Sequence, residues 1–314
     1  MPFGRSERRN GKKQYPKLPY SEGIPAHNAA ETDYICITDK AGKEWTRPQG
    51  RKETDKAGKE QTSPKEQTNP KKRTKMDKPM SLQEAILSRH SVRKYRPEPI
   101  AEEILKKLRI AVGQVNAESG LHIQLVTNEP KAFSGPMAYG KFSGVSTYLV
   151  VACPKSEESD LLVGYYGEKL VLYAQQLGLN SCWAGVSYRK IKGTYTLSPS
   201  ERIACYIALG YGLTPGVQHK GKSLEEISNA DSSTPQWFND GVKAALLAPT
   251  AVNQQKFYIE YKGGPDGTDA PDGTLPKVSI RVNGLSLVGY TRMDLGIAKL
   301  HFEIGAGTGN FVWD

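Results

Sequence analysis

Residues 161–178 read LLVGYYGEKLVLYAQQLG. Val163, Tyr166, Leu170, Tyr173 or Ala174, and Leu177 fall on one stripe of an α-helix, and much of what lies outside the stripe is apolar too. A helix this long and this apolar is expected to run through a core rather than over a surface. Residues 293–305, MDLGIAKLHFEIG, have the same texture. The other elements are arranged around these two segments.

Before the first of them, Leu82, Ala85, Ile86 and Arg89 follow helical spacing with Ser81 as cap and Gln83 and Glu84 in the first turn. After Pro97 and Pro99, Ile100, Ile104, Leu108 and Val112 line a second helix. HIQLV at 122–126 and STYLVVAC at 146–153 read as strands, and RIACYIALGYG at 202–212 as a buried strand ending in glycine. The second half repeats that order. PQWFNDGVKAALLAP at 235–249 is helical, KFYIEY and KVSIRV are strands around a Gly-, Asp- and Pro-rich loop at 263–276, and the helix at 293–305 follows. Ala111 and Asn116 in AVGQVN stand as Ala248 and Asn253 do in APTAVN, and Gly167 and Gly178 are spaced like Gly296 and Gly307. An internal duplication is inferred, with unequal halves at about 80–230 and 231–314.

Residues 1–79 differ in kind. They are rich in Lys, Glu, Gln, Thr and Pro, and TDKAGKE occurs at both 38–44 and 54–60. Such a segment buries too little apolar surface to offset its ordering entropy, so a disordered basic leader is expected. The net charge of +10 belongs to it: residues 1–80 hold 19 Lys and Arg against 11 Asp and Glu, and the remainder 24 against 22. The folded part therefore lacks the surplus that a phosphate-backbone groove requires, and no specific nucleic-acid partner is expected. The four cysteines, Cys36, Cys153, Cys182 and Cys205, show no CxxC spacing, which fits reduced thiols in a cytoplasm. No apolar run approaches the roughly 20 residues of a membrane helix. There is no HExxH, no Ser-His-Asp order and no metal cluster. His27, His90, His122, His219 and His301 are scattered. GAGTGN at 305–310 follows a helix rather than a strand, so it reads as a helix end and not a nucleotide loop.

Four motifs occur in order: RHSVRKY at 89–95, LGLNSCWAG at 177–185, ALGYG at 208–212 followed by the basic HKGKSLEEI, and APTAVNQQ at 248–255. In this combination residues 81–314 resemble the FMN-dependent nitroreductase family, specifically members with one extended chain. The resemblance implies an α+β fold with mixed or antiparallel central sheets flanked by helices, in two pseudo-equivalent halves. It places Arg89, Ser91 and Arg93, with His90 beside them, on the FMN phosphate and ribityl chain, where guanidinium forks and a hydroxyl suit a group with nearly two charges and three acceptor oxygens. Lys220 or Lys222 is the second phosphate-side cation. The backbone at Ala184 and Gly185 would face the flavin ring edge. Family dimers lend each other a loop matching APTAVNQQ. Here that loop, with Pro249, Thr250, Asn253 and Gln255, is fused into the same chain. The first copy lacks the Pro and the NQQ, and the second half lacks RHSVR, so one complete flavin site per chain is expected. A monomer then suffices, and a homodimer is compatible. The resemblance further implies ping-pong hydride transfer from NADH or NADPH to a small electron-poor acceptor such as a nitroaromatic or quinone, with no catalytic acid or base. Two other readings fit fewer features: a flavin-binding sensor or storage protein without turnover, and a nucleic-acid-associated protein acting through its leader.

Overall fold

The computed structural model describes residues 79–134, 141–263 and 275–314. The expected disordered leader, apart from Pro79, and most of the loop at 263–276 lie outside these residues.

Helix α1 (Leu82–Ser88) begins where the sequence places its cap. The Ser81 hydroxyl accepts from Glu84 N–H at 3.2 Å, and the Glu84 carboxylate accepts from Ser81 N–H at 2.7 Å. These two bonds satisfy otherwise orphaned donors of the first turn. Helix α2 (Glu102–Ser119) buries Leu105, Leu108, Ala111, Val112 and Val115, and ends at Gly120 with φ of 68°. Strand β1 (His122–Val126) and strand β2 (Thr147–Pro154) match the expected segments and pair antiparallel.

Helix α3 (Glu157–Gln176) is the segment quoted first, and it is buried on nearly every side, as its apolar circumference requires. Strands β3 (Asn180–Ala184) and β4 (Glu201–Gly210) complete an antiparallel sheet of order β1-β2-β4-β3. Alternation divides the side chains of this sheet between two cores. Leu149, Val151, Ile207 and Leu209 meet α2 and α3, whereas Tyr148, Val150, Tyr206 and Ala208 meet Val92, Phe133 and Phe142 on the opposite face.

A second run of elements follows: α4 (Leu224–Ile227), α5 (Gln236–Ala245), β5 (Phe257–Tyr261), β6 (Lys277–Val282), α6 (Thr291–Ala306) and β7 (Val312–Trp313). The small sheet β5-β6-β7 packs Phe257, Ile259 and Val278 on Phe238 and Val242 of α5 and on Ile297 and Phe302 of α6. The order helix, helix, strand, strand, core helix, strand thus occurs twice. β3 and β7 are short strands that periodicity did not reveal. GAGTGN begins inside α6 and leaves it at Gly307, whose φ is 76°.

The two core helices meet at a pair of glycines. A Cβ on Gly164 would overlap the Met293 carbonyl oxygen, and a Cβ on Gly296 would overlap the Leu161 carbonyl oxygen. Each glycine meets the other helix three residues before and one residue after its counterpart, Met293 and Ile297 in one case, Leu161 and Tyr165 in the other. Gly164, not Gly167, is therefore the α3 residue that stands as Gly296 does. Gly167 instead makes room for the Trp183 indole.

Candidate functional site

Residues 89–96 leave α1 as an extended segment laid along the ends of β3 and β4. Val92 N–H donates to Ser181 O at 3.0 Å, Arg96 N–H to Tyr211 O at 2.8 Å and Leu213 N–H to Lys94 O at 2.9 Å. Val92 and Tyr95 turn into the core and fix the segment, which leaves Arg93 exposed. Arg93 has no side-chain hydrogen bond or ion pair among the described residues. Burial raises the pKa of the Cys182 thiol beside this segment, and its Sγ donates to Trp183 O at 3.5 Å.

Arg89 is placed differently, for only 4 % of it is exposed. Its Nη2 donates to Leu247 O at 3.4 Å, and its Nε lies 3.5 Å from Glu168 Oε1 without hydrogen-bond geometry. With Ile86, Leu87, His90, Gln218, His219 and Leu247 it lines a small, partly open cavity. Two buried nitrogens here make no hydrogen bond, Arg89 Nε, which faces Glu168, and His90 Nδ1. Burial lowers the pKa of His90, with the Arg89 charge adding to the effect, and burial also lowers that of His219. His219 Nε2 lies 2.9 Å from Leu246 O, so that nitrogen carries the proton. The cavity has the size of one water-like group and a cationic rim, a setting that suits one oxygen of an anion.

The segment after β4 joins this cavity to the loop after α5. Gly216 lies so near His90 that a Cβ would stand 2.8 Å from the His90 Cβ. Further along, the carbonyl of Lys220 accepts from Asn253 Nδ2 and Gln255 Nε2, each at 2.8 Å. Lys222 N–H donates to Gln255 Oε1 and its ammonium to Gln255 O, each at 2.9 Å. Gln255 N–H donates to Thr250 Oγ1 at 3.1 Å, and Pro249 precedes this turn. The turn is strained: Val252, Asn253 and Gln255 have φ of 47°, 56° and 44°. Such angles disfavour non-glycine residues, so surrounding bonds must hold them. Asp294 supplies two of these bonds, accepting from Ala251 N–H at 2.9 Å and Gln254 Nε2 at 2.7 Å.

Burial pushes the Asp294 carboxyl up to about 6 against the pull of those two donors. Between the ordinary aspartate range and that value the folded chain keeps a proton that the unfolded chain has lost. Ionisation therefore lowers stability as pH rises through about 6. Asp294→Asn should remove this loss, so that the drop in unfolding free energy from pH 5 to pH 7.5 becomes smaller than in the wild type by about 1 kcal/mol. Urea titrations at the two pH values measure it, and an undiminished drop would assign the dependence elsewhere.

The structure thus brings Arg89 and His90 to His219, and Lys220 and Lys222 to Thr250, Asn253 and Gln255. Among the described residues no hydrogen bond links Arg93, Ala184 or Gly185 to that second group. Ala184 ends β3, buried, and Gly185 lies against Tyr290, whose phenol carbon would be 2.7 Å from an added Cβ. The sequence pattern did not single out Glu168 or Asp294, and His219 and His301 counted only among the scattered histidines. A carboxylate and an imidazole amid the apolar runs of the two core helices were the available signal for Glu168 and His301.

Two sheets flanked by helices, with a cationic cavity at the exit of the first helix, define a nitroreductase-like α+β protein. A family model described as "Putative TM nitroreductase" matches residues 81–306, and the chain belongs to that family. Among solved structures, one from Thermotoga maritima MSB8 described as a "putative nitroreductase" is 21% identical over 76% of this chain and 88% of that one, with a TM-score of 0.49. One from Desulfovibrio desulfuricans described as a "putative nitroreductase in complex with fmn" is 18% identical over 46% of this chain and 94% of that one, with a TM-score of 0.36. An FMN-dependent nitroreductase from Clostridium difficile R20291 is 18% identical over 46% and 93%, with a TM-score of 0.34. No curated protein matches the chain.

Proposed function

We propose that the chain is an FMN-dependent oxidoreductase that uses NADH or NADPH to reduce nitroaromatic, quinone or similar electron-poor acceptors. The observation that carries the reading is the cavity beside Arg89, lined by its buried guanidinium and by His90, whose buried Nδ1 makes no hydrogen bond, a setting suited to a phosphate oxygen. Membership of the nitroreductase family supports the same reading.

When bound, FMN supplies the ring that takes hydride from a nicotinamide and passes it to an acceptor. The chain's own contribution is to hold and orient. Arg89 and His90 receive the phosphate, His219 borders the same cavity, and Ser91 and Arg93 continue the grip along the extended segment. The Lys222 ammonium is already engaged by Gln255, whereas that of Lys220 is exposed and without a partner among the described residues, so Lys220 is the second phosphate-side cation. Asn253 and Gln255 are positioning residues that fix the Lys220–Lys222 segment from the far half of the chain. Pro249 and Thr250 face the ring and ribityl side, and the backbone at Ala184 and Gly185 faces the ring edge. The repeated element order and the reciprocal glycine crossing support a duplicated chain in which one polypeptide provides both sides of the site. A monomer is then sufficient. The described cysteines are free, in keeping with a cytoplasmic setting, and no described helix is long and apolar enough to cross a membrane.

Purified protein should be yellow, release FMN on denaturation, and oxidise NADH or NADPH when a benzoquinone or nitrofuran is added. FMN bound without nicotinamide oxidation would instead favour the sensor or storage role. Removal of residues 1–79 should leave flavin content and turnover unchanged, and loss of function with flavin retained would point to the leader.

A further inference from the structure

Beneath the cavity, Glu168 of α3 and His301 of α6 are both fully buried. Glu168 Oε2 accepts from Trp183 Nε1 at 2.9 Å, while Oε1 lies 3.0 Å from His301 Nε2 and 3.5 Å from Arg89 Nε. The other imidazole nitrogen, His301 Nδ1, lies 3.2 Å from the carbonyl oxygen of Ala244 on α5. A carbonyl only accepts, so Nδ1 must donate. The second contact then needs a further proton, on His301 Nε2 or on Glu168, because a carboxylate and an unprotonated nitrogen would both be acceptors. In either placement the Glu168–His301 pair is neutral as a unit.

That charge count decides what Arg89 can do. Beside a lone carboxylate the guanidinium would be compensated and would attract a second anion weakly. Beside the neutral pair it keeps its full positive charge in a site where water screens little. We propose that His301 is a positioning residue for anion binding: by cancelling the Glu168 charge from the opposite half of the chain, it leaves Arg89 as an uncompensated cation for the phosphate group of FMN. This deepens the flavin reading and rests on it. Glu303, two residues from His301, takes no part, since its carboxylate is held by the Tyr165 hydroxyl at 2.5 Å and Trp313 Nε1 at 2.7 Å.

The test is a charge cycle read with two probes, FMN and riboflavin, titrated by flavin fluorescence into protein freed of cofactor. The wild type must first bind FMN more tightly than riboflavin. Equal affinity, or none, would overturn the flavin-phosphate reading itself, independently of His301. His301→Gln leaves Glu168 charged against Arg89 and should weaken FMN binding about tenfold, with riboflavin changed less than twofold. Adding Glu168→Gln to that variant removes the competing charge and should restore FMN affinity to within about threefold of the wild type. A merely structural pair predicts the opposite, a double variant at least as impaired as the single one and equal losses for both flavins. Circular dichroism confirms that each variant is folded. A variant that fails to fold is replaced by His301→Lys, whose ammonium with the Glu168 carboxylate again makes a neutral pair and should retain FMN binding, whereas loss of FMN selectivity in folded His301→Lys would overturn the proposal.

Discussion

Gly296→Val is expected to lower the unfolding free energy by about 3 kcal/mol or more. Even a single carbon at Gly296 overlaps the Leu161 carbonyl oxygen and stands 2.8 Å from Tyr165 N, both in the backbone of α3. Backbone within a buried helix cannot swing aside as a flexible side chain can, so the two helices must separate. Overpacking a core typically costs about 1–3 kcal/mol, and a valine forced between two rigid backbones belongs at or above that upper end. A domain has about 5–15 kcal/mol in total. Separation would also open the Phe302 and Ile297 packing and part Glu168 from His301. Gly164→Val should behave alike, since its Cβ would meet the Met293 carbonyl. Gly113, in the middle of α2, provides the contrast, because nothing lies within 4 Å of the Cβ position there. Gly113→Ala should therefore stabilise by about 0.5–1 kcal/mol through helix propensity. Urea midpoints compare the three, and a soluble, cooperative Gly296→Val near the wild-type midpoint would refute the crossing geometry.

Arg89→Met is expected to lower FMN affinity about a hundredfold while leaving riboflavin affinity nearly unchanged. Methionine keeps much of the apolar stem that packs beside Ile86, so volume is largely preserved while the charge is removed. Hydrogen bonds to a charged group contribute about 1.5–3 kcal/mol each in a site screened from water. The remaining Glu168–His301 pair stays neutral, so no unpaired buried charge is created and the loss reports the missing cation. Isothermal titration of the two flavins measures it. An equal loss for both would mean that Arg89 acts through packing.

The larger elements were legible because their residues carry strong periodic signals. The apolar circumference of 161–178 marks a core helix, Ser81 marks a helix cap, and the continuous apolar run in STYLVVAC marks a strand. β3 escaped because LGLNSCWAG is short and lacks a run of β-branched residues. β7 escaped because a two-residue strand has no period at all. Within the site, RHSVR drew attention through its charge density, yet its two arginines differ in ways no linear pattern encodes. Arg89 ends a helix against the core, whereas Arg93 follows the buried Val92 and faces outward. Likewise, Arg89 lies 79 residues before Glu168 and His301 133 residues after it, so only the packing of α1, α3 and α6 brings these three together. Asn253 and Gln255 were read as flavin contacts, and in the structure their side-chain amides are engaged by the backbone of the Lys220–Lys222 segment, while the Lys222 ammonium donates to the main-chain oxygen of Gln255. Sequence spacing identified the loop, while the strained backbone determines where its side chains turn.

The central claim is that both halves of one chain build a single site for the anionic end of a flavin. Equilibrium titration of the cofactor-free wild-type protein with FMN and, separately, with riboflavin tests it most directly. Saturable binding of one FMN per chain, at least tenfold tighter than riboflavin, is the predicted result. Equal affinity for the two, or a stoichiometry of one FMN per two chains, would contradict it.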